Sequence, residues 1–341
     1  MKLTPVTRRR IDNFKSNKRA LYSLCIFLSI FFISLFAELI ANDKPLLVVH
    51  NKKLYFPIVK EYSEITFGSD LDIPTDYRDP FMSELIEENG KIIWTIIPYK
   101  YDTIDYELDV PAPSAPSRQH WLGTDDQGHD VVALIIYGFR ISVLFGVILT
   151  LVSSIIGISV GAIQGYFGGI TDLLAQRFIE VWGSIPTLFL IIIITAVIKP
   201  TFGLLLIILL AFSWLALVSV VRAEFLRARN FEYIKAARAL GVSHRKIMFK
   251  HILPNALVAT LTFLPFILNG SIVALTSLDF LEFGLPAGSP SLGRLLAQGK
   301  ANLHAPHLSI SAFFVLAIML SLLIFVGEGI RDAFDSRKNI I

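Results

Sequence analysis

Residue types able to do chemistry are sparse in this chain of 341 residues, and each cluster meets a competing explanation. Asp125, Asp126, His129 and Asp130 carry donors suited to a divalent cation. Their spacing lacks the full calcium-loop pattern, and no closing glutamate follows. Gly157-Ile158-Ser159-Val160-Gly161 matches the G-x-S-x-G nucleophile elbow in form. That elbow needs a strand–turn–helix context open to water, whereas this stretch lies inside an apolar run. Gly157, Gly161 and Gly165, at four-residue spacing, instead suit close packing of two helices. Arg177 and Glu180, three apart, are placed for a local ion pair, and Asn269 for a hydrogen bond between helices. The single cysteine, Cys25, lies in an apolar run and offers neither a disulfide framework nor a cysteine metal site. No G-x-x-x-x-G-K-[ST] phosphate loop occurs. The expectation is no catalytic residue, no metal site and no cofactor in this chain.

One long polar stretch remains in the carboxy-terminal two thirds, Asn230–Asn255. Asn230 is placed to cap a helix from Phe231 to about Leu240, and Gly241 to end it in a left-handed conformation. Ser243 is placed to cap a second helix, which Pro254 would close. Two alanines, Ala236 and Ala237, would let another protein's backbone come close. From Arg222 to His251 there are eight Lys or Arg against Glu224 and Glu232. So basic a loop beside apolar runs marks the cytoplasmic side of a membrane, although a basic helix lying on anionic lipid would share the pattern.

The elements that must hold this loop are membrane spans. Hydrophobic residues make up 54% of the chain and charged ones only 17%, with mean hydropathy +0.61; soluble domains carry about 25% charged residues. Apolar runs place a first span at 21–40, behind a basic tail (1–20) that holds seven Lys or Arg. That run is too long for a secretory signal and lacks a clear small-residue cleavage site. Residues 41–138 then form an insertion with 17 acidic residues against eight Lys or Arg. Within it a strand pair turns near Asn51-Lys52, Asp79-Pro80 starts a helix that Asn89-Gly90 stops, Lys91–Ile97 reads as a strand, and Pro111, Pro113 and Pro116 stiffen a linker. A small α+β subdomain is expected. Further spans follow at about Ile141–Ile163, Leu173–Ile198 with a bend at Pro186, Phe202–Val221, Ala256–Leu278 and Leu308–Val326. The chain thus divides into spans two to four (139–222), the basic loop (223–253), spans five and six (254–330) and a tail (331–341), with both termini inside.

The basic loop resembles the EAA loop of the permease subunits of bacterial ABC importers, with Ala236, Ala237, Gly241, Leu253 and Pro254 at the motif's places. Lys235 replaces the family's glutamate, and His251 stands where isoleucine is frequent. His120–Ser142, with LGTD at Leu122–Asp125, and GYFGG at Gly165–Gly169 resemble the oligopeptide and dipeptide branch. The long acidic insertion, Thr276–Pro286 and Ser289–Gly293 are similar to the microcin C type permease. The resemblance implies an all-α membrane protein of six helices with the type I importer fold, in the bacterial inner membrane, moving peptides or peptide-like substrates inward. It implies a second permease, two cytoplasmic ATPase subunits that carry ATP and magnesium, and a periplasmic peptide-binding protein. Lys235, Ala236, Ala237, Leu240, Gly241 and Pro254 would then couple to the ATPase; no residue is marked as touching substrate. The alternatives are an importer permease for nickel or another small solute, and a secondary transporter. The latter would be expected to show inverted repeats and charges within its spans.

Overall fold

The computed structural model describes residues 5–334; residues 1–4 and 335–341, parts of the two expected tails, lie outside them. The chain divides into two compact units, one of Met1–Ser29, Val143–Pro286 and Ala317–Ile341, the other of Ile30–Ser142 and Ala287–Leu316. Among the described residues four helices are long and apolar enough to cross a membrane: Lys18–Leu35, Val131–Phe167, Phe202–Ala228 (broken at Trp214) and Pro306–Phe334. Two bent pairs pass the same test, Gly169–Gly183 with Thr187–Val197 at 61°, and His244–Leu261 with Leu264–Phe280 at 54°. The first bend falls at Pro186, where the sequence placed one. The second falls just before Pro265, a residue without an N–H to continue the ladder.

In the first unit the glycine stripe sets the closest helix approach. A Cβ built on Gly157, Gly161 or Gly165 would lie 2.5–2.7 Å from the carbonyl oxygen of Trp214, Val218 or Arg222. Glycines four apart on one helix therefore meet carbonyls four apart on the next. The formal G-x-S-x-G match is a packing seam, and Ser159 spends its hydroxyl on the carbonyl of Ile155, 2.7 Å away. Arg177 and Glu180 pair at 2.6 Å as expected. Asn269 donates to the carbonyl of Leu320 at 2.9 Å, a bond between helices.

The second unit holds a three-stranded antiparallel sheet in the order β2-β1-β3, made of β1 (Leu47–His50), β2 (Lys53–Tyr55) and β3 (Gly90–Ile93). Asn51 and Lys52, at φ 50° and 62°, form the two-residue turn between β1 and β2. The helix Pro80–Glu88 starts where Asp79 accepts from the N–H of Phe81 at 3.3 Å. Val48, Phe67, Tyr77, Met82, Ile86 and Ile92 form its buried core. The expected strand Lys91–Ile97 stops early, because its continuation leaves the sheet for the end of the first span. Ile97 donates to the carbonyl of Ile40 at 2.9 Å, and the Thr95 hydroxyl bonds the carbonyls of Ile97 (2.6 Å) and Asn42 (3.1 Å). Arg140 grips Glu38 through two hydrogen bonds of 2.9 and 2.8 Å, and Tyr137 donates to the carbonyl of Ala41.

Several boundaries differ from the sequence reading. The helix that contains the expected second span begins at Val131, so the expected boundary at 138 falls inside a helix of 37 residues. Asp130 caps it by accepting from the N–H of Ala133 at 2.8 Å. At about 1.5 Å per residue this helix is about 55 Å long, well beyond a hydrocarbon core of about 30 Å. The first span breaks at Phe36, with a short turn Ala37–Ile40 beyond it. The basic tail forms a helix, Pro5–Ser16, and the Gly/Pro-rich loop after residue 279 contains another, Leu292–Ala301, capped by Ser291.

Candidate functional site

The basic loop forms a compact hook in the first unit. Its helix runs Glu232–Ala239. Gly241 takes φ +74°, donating to the carbonyl of Arg238, while Val242 donates to that of Ala237, both at 3.0 Å. This crossed pair is the Schellman ending, which needs a left-handed residue where Gly241 stands. The helix then divides its residues by face. Ile234 is fully buried in a cluster with Tyr166, Val221, Phe225, Ile247 and Ile252, and Ala237, Val242 and Leu253 pack against that cluster. Tyr233 (47% exposed) and Leu240 (83%) point away from it, as does the exposed Ala236. Positions 233, 236 and 240 share one side of a helix, so an apolar ridge with a small residue at its centre faces outward. Lys235, also exposed, donates to Glu232 at 2.8 Å.

Three features of the hook differ from the sequence expectation. Asn230 does not cap the helix; its amide donates to the carbonyl of Leu226 at 3.1 Å, closing the preceding helix instead. Pro254 does not end the second limb. From His244 the chain is helical, passes through a wide π turn at Ile247–Ile252 and continues as Leu253–Leu261 with the exposed Pro254 in its first turn. Widening the turn just before a proline relieves the clash of its ring with the carbonyl four residues back. Ser243 precedes this limb without a side-chain cap, although its carbonyl accepts from the N–H of Ile247. The limb is held by a bond the sequence did not suggest, Tyr166 hydroxyl to His244 Nδ1 at 2.7 Å, with the Arg238 guanidinium 4.8 Å above the Tyr166 ring. Tyr166, expected in a turn with GYFGG, lies in the last turn of the helix Val131–Phe167, 78 residues away, and only the fold brings the two together.

The carboxylates that invited a metal reading, Asp125, Asp126 and Asp130, are consumed by structure. Asp125 accepts from the N–H groups of Gln127 and His129 (both 2.9 Å), from His129 Nδ1 (3.1 Å) and from Gln298 (3.1 Å). Gln298 also donates to Asp126 at 2.7 Å. His120 lies between Asp130 (Nδ1, 2.8 Å) and Asp105 (Nε2, 3.0 Å), fully buried, and Tyr99 donates to Asp105. Burial alone would lower the His120 pKa, but the two carboxylates outweigh it and raise it; Asp105 is held below the usual carboxylate range mainly by His120 despite its own burial. Burial likewise opposes the lowering of Asp125, which the hydrogen bond from His129 brings about. Among the described residues no three His, Cys, Asp or Glu side chains are grouped to hold a metal ion. Both nitrogens of His120 face carboxylates, an arrangement for an imidazolium rather than for a metal ligand.

Residues 153–340 match the family model described as binding-protein-dependent transport system inner membrane component. The chain belongs to that family. Residues 7–52 also match the N-terminal transmembrane domain of oligopeptide transport permease C. The permease is 58% identical over 339 residues to the inner membrane ABC transporter permease protein YejE of Escherichia coli strain K12, with 99% of each chain covered. It is 54% identical to the peptidoglycan transport system permease protein YejE of Agrobacterium fabrum, covering 98% of this chain and 94% of that one. The oligopeptide transport system permease protein OppC of Haemophilus influenzae is 35% identical over 70% of this chain and 77% of its own. The basic loop Asn230–Asn255 therefore lies within the matched family segment, and this permease is a transporter subunit of the inner membrane type.

Proposed function

We propose that this permease is one membrane-embedded half of an ATP-driven importer that carries peptides or peptide-like molecules from the periplasm to the cytoplasm. Six spans of the type I arrangement, two of them the bent pairs, put both termini and the hook in the cytoplasm and the acidic insertion in the periplasm. A second permease completes the path, two ATPase subunits hydrolyse ATP outside this chain, and a periplasmic binding protein delivers the substrate. The peptide class is supported by the names of the relatives, which speak of oligopeptide and peptidoglycan transport.

The observation that carries the reading is the two-faced hook. Ile234 anchors it in the core of the first unit while Tyr233, Ala236 and Leu240 stand outward, exposed. Docked in an ATPase cleft, that ridge would transmit movement through the continuous limb His244–Leu261 toward the fifth span. Ala236→Arg puts bulk at the centre of the outward ridge. We expect the variant to insert and to co-purify with the second permease, while losing the ATPase or its stimulation by substrate. If Ala236→Arg retains both the ATPase and normal transport, the hook does not couple.

A further inference from the structure

A groove of about 330 Å³ opens in the second unit beside the ends of the first two spans, lined among others by Ile96, Ile97, Arg118, Gln119, Trp121 and Val132. Its size lies at the lower end of small-ligand sites, about 300–1,000 Å³. Its position is set by two contacts with the membrane-crossing elements. Ile97 is bonded to Ile40 and Asn42 at the close of the first span, and Val132 lies in the opening turn of the helix Val131–Phe167. The groove therefore lies beside the opening turn of one membrane-crossing helix and just past the close of another.

Its chemistry is amphipathic. Ile96 is 67% exposed and Trp121 56%, although soluble surfaces seldom show large apolar side chains so close together. Arg118 is exposed and makes no ion pair among the described residues. The one acid in the lining, Asp130, is buried and bonded to His120 and to the N–H of Ala133. His120 in turn bonds Asp105, so one negative charge of this trio remains behind the wall, whereas Arg118 stands at its mouth. A second guanidinium, Arg78, lies 4.0 Å above the ring of Tyr99 and donates to the carbonyl of Pro98, and both of these residues line the groove. An indole and isoleucines sharing a groove with one guanidinium group, a second standing behind its wall, is a composition that suits the bilayer interface.

We propose that this groove seats an anionic phospholipid of the outer leaflet. Arg118 takes the headgroup phosphate, Gln119 offers a hydrogen bond, and Trp121, Ile96 and Val132 flank the glycerol and the upper acyl chains. The assignment to the outer leaflet rests on the proposed topology; the seat itself rests on the groove. A lipid held there would fasten the linker to the insertion's base without any further protein contact.

The test replaces Ile96→p-benzoylphenylalanine in the full chain in native membranes, followed by irradiation and mass spectrometry. A phospholipid adduct enriched in phosphatidylglycerol over its share of the membrane is expected. Arg118→Gln should cut that enrichment about fivefold, the equivalent of one headgroup-level cation, and Arg118→Lys should restore most of it. An adduct to a polypeptide overturns the proposal, because the groove would then be a protein-docking surface. A lipid adduct of bulk composition that ignores Arg118 overturns it equally. Gln119→Cys in a Cys25→Ser background tests the orientation separately. Labelling by an impermeant thiol reagent in spheroplasts supports the outer leaflet, and labelling only after permeabilisation overturns that part whatever the adduct shows.

Discussion

Replacing Gly241 by valine isolates the hook's geometry from its surface. Nothing lies within 4 Å of a Cβ built at this glycine, so the new side chain meets no neighbour. The cost comes from the backbone: φ is +74°, and a side chain there costs about 1–2 kcal/mol, with β-branched residues at the upper end. Converted at about 1.4 kcal/mol per tenfold, the Schellman ending becomes roughly 5- to 30-fold less populated against open turns. Asparagine, which tolerates the left-handed region, should lose much less. The assay is ATPase activity of the reconstituted importer with and without loaded binding protein, alongside thermal unfolding of the purified chain. Gly241→Val is expected to insert, to unfold near the wild-type temperature and to lose most stimulation, with Gly241→Asn close to wild type. Equal stimulation of wild type and valine would refute the argument. So would equal failure of valine and asparagine, since bulk at the surface rather than backbone strain would then be decisive.

Other outcomes follow from the packing and the charges. Gly165→Val would set a branched side chain against the Arg222 carbonyl and Phe225, both 2.5 Å from its Cβ, and should abolish the folded yield in detergent; at the open Gly203 the same change should leave it intact. The His120 pKa is raised, so its contribution to stability is complete below the unfolded value and is lost as pH rises through the folded one. That of Asp105 is lowered, so its contribution is present above the unfolded value and is lost as pH falls through the folded one. The buried trio should therefore stabilise the second unit most between those limits, and His120→Leu, which strands two buried carboxylates, should cost about 3–5 kcal/mol there and flatten the pH profile of thermal unfolding. In a Cys25→Ser background, Val59→Cys (85% exposed in the native residue) should be labelled from outside and Arg245→Cys only after permeabilisation; Glu64, buried against Ser69, is a poor probe despite its place in the insertion. Amides at the exposed Asp70, Glu84, Glu87 and Glu88 should weaken stimulation by the binding protein at low salt and remove its salt dependence, while Asp79 keeps its helix cap.

Features governed by local rules were legible in the sequence. The turn at Asn51-Lys52, the start at Asp79-Pro80, the left-handed Gly241 and the bend at Pro186 depend on residues beside them, and each occurs where expected. The glycine stripe was legible too, because a four-residue period needs only one helix to be visible. What escaped depends on distant partners. Tyr166 meets His244 across 78 residues, Gln298 meets Asp125 across 173, and nothing near either residue announces it. Pro254 misled for a different reason: proline forbids one hydrogen bond, and a π turn can forgo that bond without ending the helix.

The seam of glycines has a mechanical side. Where side chains separate two helices, rotamers can yield and let the helices slide; where backbone touches backbone at three successive turns, no such compliance exists. The helices Val131–Phe167 and Leu215–Ala228 are thereby geared along their contact, and neither can shift by a fraction of a turn without driving a glycine into a carbonyl. Any change of shape during a transport cycle must bypass this pair. The segments near Pro186 and at Thr262-Phe263, where the axis turns by 61° and 54°, are already interrupted and lie outside the seam. The smallest residues in the membrane thus act as its stiffest fitting, and the places that look damaged are its joints.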